Sequence, residues 1–434
     1  MKEKLALFGG DKIRTELFPI NLTTDSVEAA AVNEIMQTGI LSNYLGAAHE
    51  NFMGGKAVRR LEAAWSEHFQ VTHALAVNSN TSGLIAALGA CGIAPGDEVI
   101  VSPYSMSISA VAPIFWGATP IFADVEVDQY CLDIKSIKKC VTEKTKAIIA
   151  VDLFGNPFDA QKIMDFAKSK NIFVIEDCAQ APGAKLNGKF AGTLGDIGVF
   201  SLNYHKHIQS GEGGIVVTNN KALADKISLI RNHGEAVVST WDNLDFNNAI
   251  GYNFRMGEIE AAIALKQLDK IDHLLERRLE NVSLFEHKIK QFSEFRPSQV
   301  RPGALHVHYQ HTLVWHDENS ITRNEFVSAV KAELPCFEGR EKEGVKIGAG
   351  YVKPIYMLPL FAKDRSHSII SVALQNSWQK YEKGLCPIVE ILHYDKLINH
   401  EFIVPSMKEK DIDCVIDAFD KVLSNSNKII SKRN

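Results

Sequence analysis

A lysine between two histidines, His205-Lys206-His207, runs into the turn Gly211-Glu212-Gly213-Gly214 and is a candidate amine nucleophile. A lysine used for Schiff-base chemistry must be neutral when it attacks, so burial or cationic neighbours must lower its pKa. Flanking imidazoles and a turn that lets backbone come close suit that need, although a loop lysine is solvated by default. A second group, Glu176-Asp177, closes an apolar strand read as ending at Ile175. Open α/β sheets bind ligands outside the carboxyl ends of their strands. A carboxylate there can keep a cofactor's ring nitrogen protonated; the ordinary alternative is a helix cap. The third group, Asn78-Ser79-Asn80-Thr81-Ser82, leads into a helix. Hydroxyls beside free N–H groups make either an anion site or a plain N-cap.

These groups need a scaffold, and the hydrophobic pattern supplies one. Strands are predicted at Ala74–Val77, Glu98–Val101, Pro120–Ala123, Lys146–Leu153, Ile172–Ile175, Gly198–Ser201 and Gly214–Thr218. Helical periodicity falls between them at Ser82–Cys91, Asp159–Lys170 and Lys221–Arg231. Strands alternating with helices predict an α/β fold, a mostly parallel sheet covered on both faces. After Gly257 the pattern changes to one long helix over Glu258–Lys290, followed by mixed short elements. The predicted organisation is an N-terminal arm (1–24), a large domain (25–272) and a smaller α+β domain (273–434). Glu338–Gly350, with four glycines and alternating charge, reads as an exposed loop.

The 434 residues carry a net charge of −5, with dispersed basic side chains and a solvated tail at Lys428, Lys432 and Arg433. Neither nucleic acid nor an anionic membrane is expected as partner. The seven cysteines form no CxxC pair, which argues against a disulfide framework or a metal site and suits a reducing cytoplasm. Neither a signal peptide nor a transmembrane run is evident.

Spacing and order carry the argument further. Ser201 stands five residues before Lys206, and Lys206 five before Gly211. EDCAQAPGA follows the strand at 176–184, and GYNFRM opens the helix pattern at 251–256. Together these resemble the DegT/DnrJ/EryC1/StrS family, pyridoxal-phosphate (PLP) dependent sugar aminotransferases of aspartate aminotransferase fold type I, over nearly the whole chain. The resemblance implies a three-layer α/β/α large domain and a smaller C-terminal domain. It implies that Lys206 carries PLP and shuttles the proton, that Asp177 pairs with the pyridinium nitrogen, and that Gln180 bonds the ring oxygen. Thr81, Ser82 and Ser201 would hold the phosphate. Asn253 would reach it from the neighbouring subunit, which implies a homodimer with active sites at the interface.

Three positions depart from the family pattern. Asn80 replaces a frequent glycine, Met106 stands where an aromatic usually stacks on the ring, and Leu202-Asn203 replaces Phe-His. The expected reaction moves an amino group from an amino acid, L-glutamate by preference, to a keto-sugar of a surface polysaccharide or lipopolysaccharide pathway. The acceptor is a nucleotide-linked keto-hexose or an oxidised acidic sugar such as 8-oxo-3-deoxy-octulosonate. A dehydratase of the same fold would carry histidine at the Schiff-base position, where both spacings place Lys206. A non-catalytic regulatory descendant is the remaining alternative. The polar stretches Ser42–Lys56 and Phe337–Tyr351 are expected to shape the acceptor pocket.

Overall fold

Capping side chains set most of the helix starts up to Arg231. The computed structural model describes residues 4–234, 250–316, 321–361, 374 and 377–431; Lys432 and Arg433 of the expected tail lie outside these. Asp25 starts α1 (Ser26–Thr38) in a capping box with Glu28. The next helix, α2 (Lys56–Phe69), buries Val58, Leu61, Trp65 and Phe69 along one face. Ser79 caps α3 (Asn80–Ala90). A single turn, α4 (Ile108–Val111), comes next. Asp133, Asp159 and Asn220 cap α5 (Ile134–Cys140), α6 (Ala160–Lys170) and α7 (Lys221–Arg231).

Between these helices run β1 (His73–Val77), β2 (Glu98–Val101), β3 (Thr119–Phe122), β4 (Thr145–Val151) and β5 (Phe173–Asp177). A small hairpin, β6 (Lys185–Leu186) and β7 (Lys189–Phe190), precedes β8 (Ile197–Ser201) and β9 (Gly214–Thr218). Seven of these form one sheet in the order β1-β9-β8-β5-β4-β2-β3. Only the pairs involving β9 are antiparallel. The central strands are buried on both faces, as parallel strands covered by helices must be. The predicted mostly parallel α/β sheet is therefore present, with two strand ends displaced by two residues: β5 runs on through Asp177 instead of ending at Ile175, and β4 stops at Val151 instead of Leu153.

The single helix expected over Glu258–Lys290 is two, α8 (Glu258–Leu268) and α9 (Ile271–Ile289). No proline or glycine marks the break. It is fixed from outside: Lys270 pairs with Asp25 and Glu28, and Gln267 Nε2 donates to the Thr23 carbonyl and to Glu28. Helix α10 (Arg323–Glu333) starts on a Thr322–Glu325 capping box.

A second, antiparallel sheet has the order β10-β12-β14-β13, from β10 (Phe295–Pro297), β12 (His311–Trp315), β13 (Ile347–Ala349) and β14 (Leu397–His400). The two-residue strand β11 (Ala304–Leu305) pairs instead with β6. Phe285, Phe326, Phe402 and Phe419 fill a separate apolar core beside this second sheet, joined by Leu5 and Phe18 from the N-terminus. The expected exposed loop Glu338–Gly350 is more ordered in its pairing than its composition suggested. It contains β13, and Arg340 bridges Glu343 and Glu401. Among the described residues no helix is long and apolar enough to cross a membrane.

Candidate active site

A cavity of about 470 Å³ opens at the carboxyl ends of β4, β5 and β8. Successive strand residues face opposite ways, and this separates the two acids at the end of β5. Glu176 turns back and accepts from the Leu194 and Gly195 N–H groups. Asp177 lines the cavity. It is buried, and accepts from Asn80 Nδ2 at 3.2 Å, the Ala179 N–H at 3.2 Å and Ser109 Oγ at 3.4 Å. Burial pushes its pKa up, while the Ala179 N–H, the charge of Lys206, and the Asn80 and Ser109 bonds oppose the rise. Asp177 has no salt-bridge partner among the described residues.

The N-terminus of α3 faces the same cavity through Ser79, Asn80 and Thr81. Gly214 lets it come close: a Cβ there would meet the Ser79 carbonyl carbon at 2.6 Å and the Asn80 nitrogen at 2.7 Å. Thr81 is exposed toward the opening, and Ser201 lines the cavity from the end of β8. Ser82 does not join them. Its hydroxyl is buried, donates to Asn78 Oδ1 at 2.5 Å and lies 2.9 Å from Ser79 Oγ, the oxygen that caps the helix, so it is tied into the cap and turned away from the cavity. Asn80 has no left-handed backbone; its amide donates to Asp177 and to the Val199 carbonyl. The departure from glycine thus places a donor against the strand-end acid.

Lys206 enters from the loop after β8 and is half-buried. Burial pulls its pKa down to about 8, against the opposing charges of Asp177 and Glu401. Its Nζ lies 4.5 Å from the centre of the Tyr309 ring, a contact that favours the charged form. His207 is buried and held neutral by burial, so it adds no charge beside the amine. The amine gains its neutral form as pH rises through about 8. We expect capture of a small aldehyde by Lys206 in the cofactor-free protein to speed up about tenfold per pH unit and level off above that point. A rise continuing toward the ordinary lysine value of ~10.4 would contradict this.

Gln180 and Met106 line the cavity. The Gln180 amide is engaged, accepting from the Phe154 N–H at 2.7 Å and donating to the Tyr351 hydroxyl at 3.1 Å. Met106 is exposed at the rim. Asn253 is exposed and lies outside the cavity of its own chain; its carbonyl accepts from Asn78. Asn203 and Glu212 are joined by a 3.0 Å hydrogen bond across the loop that carries Lys206. Three residues of the site had no motif to announce them. Tyr309 and Tyr351 come from segments flanking the second sheet, and Ser109 from α4. A second cavity of about 210 Å³ lies on the other side of Lys206 and Tyr309, lined by Arg278, Arg340 and Glu401. Phe337–Tyr351 thus contributes Gly339, Arg340 and Tyr351 to the two cavities. Ser42–Lys56 contributes to neither. It is pinned elsewhere, with Tyr44 buried under Arg231 and Asn232 Nδ2 donating to the Leu45 and Phe52 carbonyls.

Comparison with known proteins gives one consistent match. The model of the DegT/DnrJ/EryC1/StrS aminotransferase family matches residues 29–398. GDP-perosamine synthase of Escherichia coli O157:H7 is 41% identical over 285 residues, 65% of this chain and 77% of its own. A UDP-N-acetyl-3-dehydro-alpha-D-glucosamine 3-aminotransferase of Acidithiobacillus ferrooxidans is 32% identical over 334 residues, 74% of this chain and 88% of its own. The solved aminotransferase of Psychrobacter cryohalolentis superposes with a TM-score of 0.79 at 25% identity, covering 95% of this chain and all of that one.

Proposed function

The chain belongs to the DegT/DnrJ/EryC1/StrS aminotransferase family, PLP-dependent enzymes, and from that premise we propose that it transfers an amino group from L-glutamate to a nucleotide-linked keto-hexose. One observation carries the reading: a buried carboxylate without a cationic partner and a half-buried lysine of lowered pKa face one cavity. A protonated pyridine nitrogen is the partner that Asp177 lacks, and the α3 N-terminus with Thr81 and Ser201 is an anion cradle, so the residues fit PLP. Bound there, PLP supplies the electron sink that makes an amino acid's Cα proton acidic. Lys206 would hold the cofactor through Nζ, and its amine is placed to take and return the substrate proton. Asp177 keeps the ring nitrogen protonated. Gln180, already fixed by Phe154 and Tyr351, borders the ring oxygen's place. Met106, at the cavity rim, would offer the ring a polarizable side chain.

The donor's carboxylate also needs a seat. Arg278 is buried, and its Nη1 donates to the His308 and Ile403 carbonyls. Among the described residues it has no carboxylate partner, and it faces the second cavity beside Lys206. We assign it the donor carboxylate. Losing one charge-assisted hydrogen bond costs about 1.5–3 kcal/mol. Arg278→Met is therefore expected to raise KM for glutamate roughly 10- to 100-fold while leaving KM for the acceptor within a few-fold. Initial-rate kinetics with each substrate varied in turn checks this; equal changes in both KM values would remove the assignment.

The sugar acceptor is supported by the activities of the relatives and by the polar side chains of Tyr351 and Arg340, which line the two cavities. Exposed Asn253 is proposed to complete a partner subunit's phosphate site in a homodimer. Seven free cysteines suit a reducing cytoplasm, the proposed location. A surface-polysaccharide pathway is the proposed context. The test is a donor half-reaction. The purified yellow protein should lose its visible absorbance on adding glutamate and regain it with a keto-sugar from a panel of nucleotide-linked and acidic candidates. Protein that takes up no PLP would contradict the reading.

A further inference from the structure

The second sheet holds a group of imidazoles for which transamination has no use. His311 on β12 stands opposite His400 on β14, and His308 lies three residues before His311. Glu286 reaches over from α9, its Oε1 3.1 Å from His311 Nε2. One ligand atom each from Glu286, His308 and His311 lies within 4.8 Å of the other two.

His308 points to what this grouping is for. The residue is 8% exposed and its ring stacks on that of His306 with centroids 3.8 Å apart, and among the described residues its ring nitrogens make no hydrogen bond to protein. Its backbone alone is engaged: the N–H donates to His306 Nδ1, and the carbonyl accepts from Arg278. A buried imidazole normally satisfies both nitrogens, one as donor and one as acceptor. In His308 a ring nitrogen lies instead within 4.8 Å of a Glu286 carboxylate oxygen and a His311 ring nitrogen.

We propose that Glu286, His308 and His311 bind one divalent transition-metal ion of the zinc class. Two imidazoles and a carboxylate form a zinc donor set that leaves a fourth position for water. Such sites are framed by outer partners that fix the ring of a ligating histidine. Here that partner is His400, whose Nε2 lies 3.0 Å from His311 Nδ1. An entry path exists because the Glu286 side chain is 33% exposed, while His311 is 1% exposed. The sequence pattern gave no warning, since it was read for cysteine pairs and these ligands come from a helix, a strand and the segment between them. The site stands independent of the proposed reaction. It touches that reaction through two neighbours of His308: Tyr309, which follows it in the chain and lies under Lys206, and Arg278, which donates to its carbonyl.

The test uses PLP-loaded protein stripped of metal by a chelator, titrated with zinc, and desalted before metal analysis. One zinc per chain should be retained and should raise Tm. Glu286→Gln changes a partly exposed side chain and should fold normally; it should weaken zinc binding by at least about 100-fold without changing the cofactor absorbance. His308→Ala should do the same, with circular dichroism confirming the fold, and His400→Ala should weaken binding about 10- to 100-fold. Failure of the native protein to retain stoichiometric zinc would overturn the proposal. So would retention unchanged in Glu286→Gln, which would place the ion elsewhere, for instance at the cofactor.

Discussion

Replacing Lys206 with alanine is expected to reduce transamination by about 10⁴-fold or more. General acid–base catalysis alone contributes about 10²–10⁴-fold, and loss of the covalent anchor adds to it. The side chain is half-buried and packs mainly over Tyr309, so truncation leaves the core of the sheet intact. The variant should still bind PLP through the α3 N-terminus and Asp177. Borohydride, however, should fix no cofactor to the protein. A small added amine should restore part of the proton transfer, which a merely unfolded variant could not show. Wild-type rates in this variant would remove Lys206 from the mechanism.

Asp177→Asn is expected to lower kcat/KM by about 10²–10³-fold, the range for losing one preorganised electrostatic contact. Asparagine matches aspartate in shape: its Oδ1 can still accept from the Ala179 N–H and Asn80 Nδ2, while its Nδ2 takes the place of the oxygen that faces Ser109 and can donate to that hydroxyl. The change is therefore one of charge. Stability provides the control. Burial raises the pKa of Asp177 in the folded protein. The folded state then holds a proton more tightly than the unfolded one, and the ionised acid lowers stability as pH rises through that window. Cofactor-free Asp177→Asn should therefore be as stable at neutral pH as the parent chain, or more so, despite its lost activity. Urea denaturation of both proteins checks this. A large loss of stability would mean that Asp177 serves the fold first.

Local spacing made part of this site readable. Lys206 and Asp177 lie on one side of consecutive strand ends, and a single sheet edge gathers everything between Asn78 and Gly214. Alternation along β5 was less easily seen. It assigns Glu176 to the Leu194–Gly195 turn and Asp177 to the cavity, because the strand runs two residues further than its apolar pattern. Ser82 shows the limit of motif reading: two adjacent hydroxyls look equivalent in sequence, but the helix turns one outward and buries the other against Asn78. Tyr309, Tyr351 and Arg278 were unreadable for a different reason. They reach the site by packing of the second sheet and α9, and no local pattern carries such a contact. The break between α8 and α9 is of the same kind. It depends on Lys270 meeting Asp25 and Glu28 across most of the chain, with no helix breaker at the join.

The most direct measurement follows the nitrogen atom. The purified protein is supplied with PLP, ¹⁵N-labelled glutamate and a nucleotide-linked keto-hexose, and the products are resolved by mass spectrometry. The expected result is an amino sugar carrying ¹⁵N, formed together with 2-oxoglutarate and absent when Lys206→Ala replaces the native chain. A deoxygenated keto-sugar without ¹⁵N would instead mean dehydration on the same fold and would contradict the account.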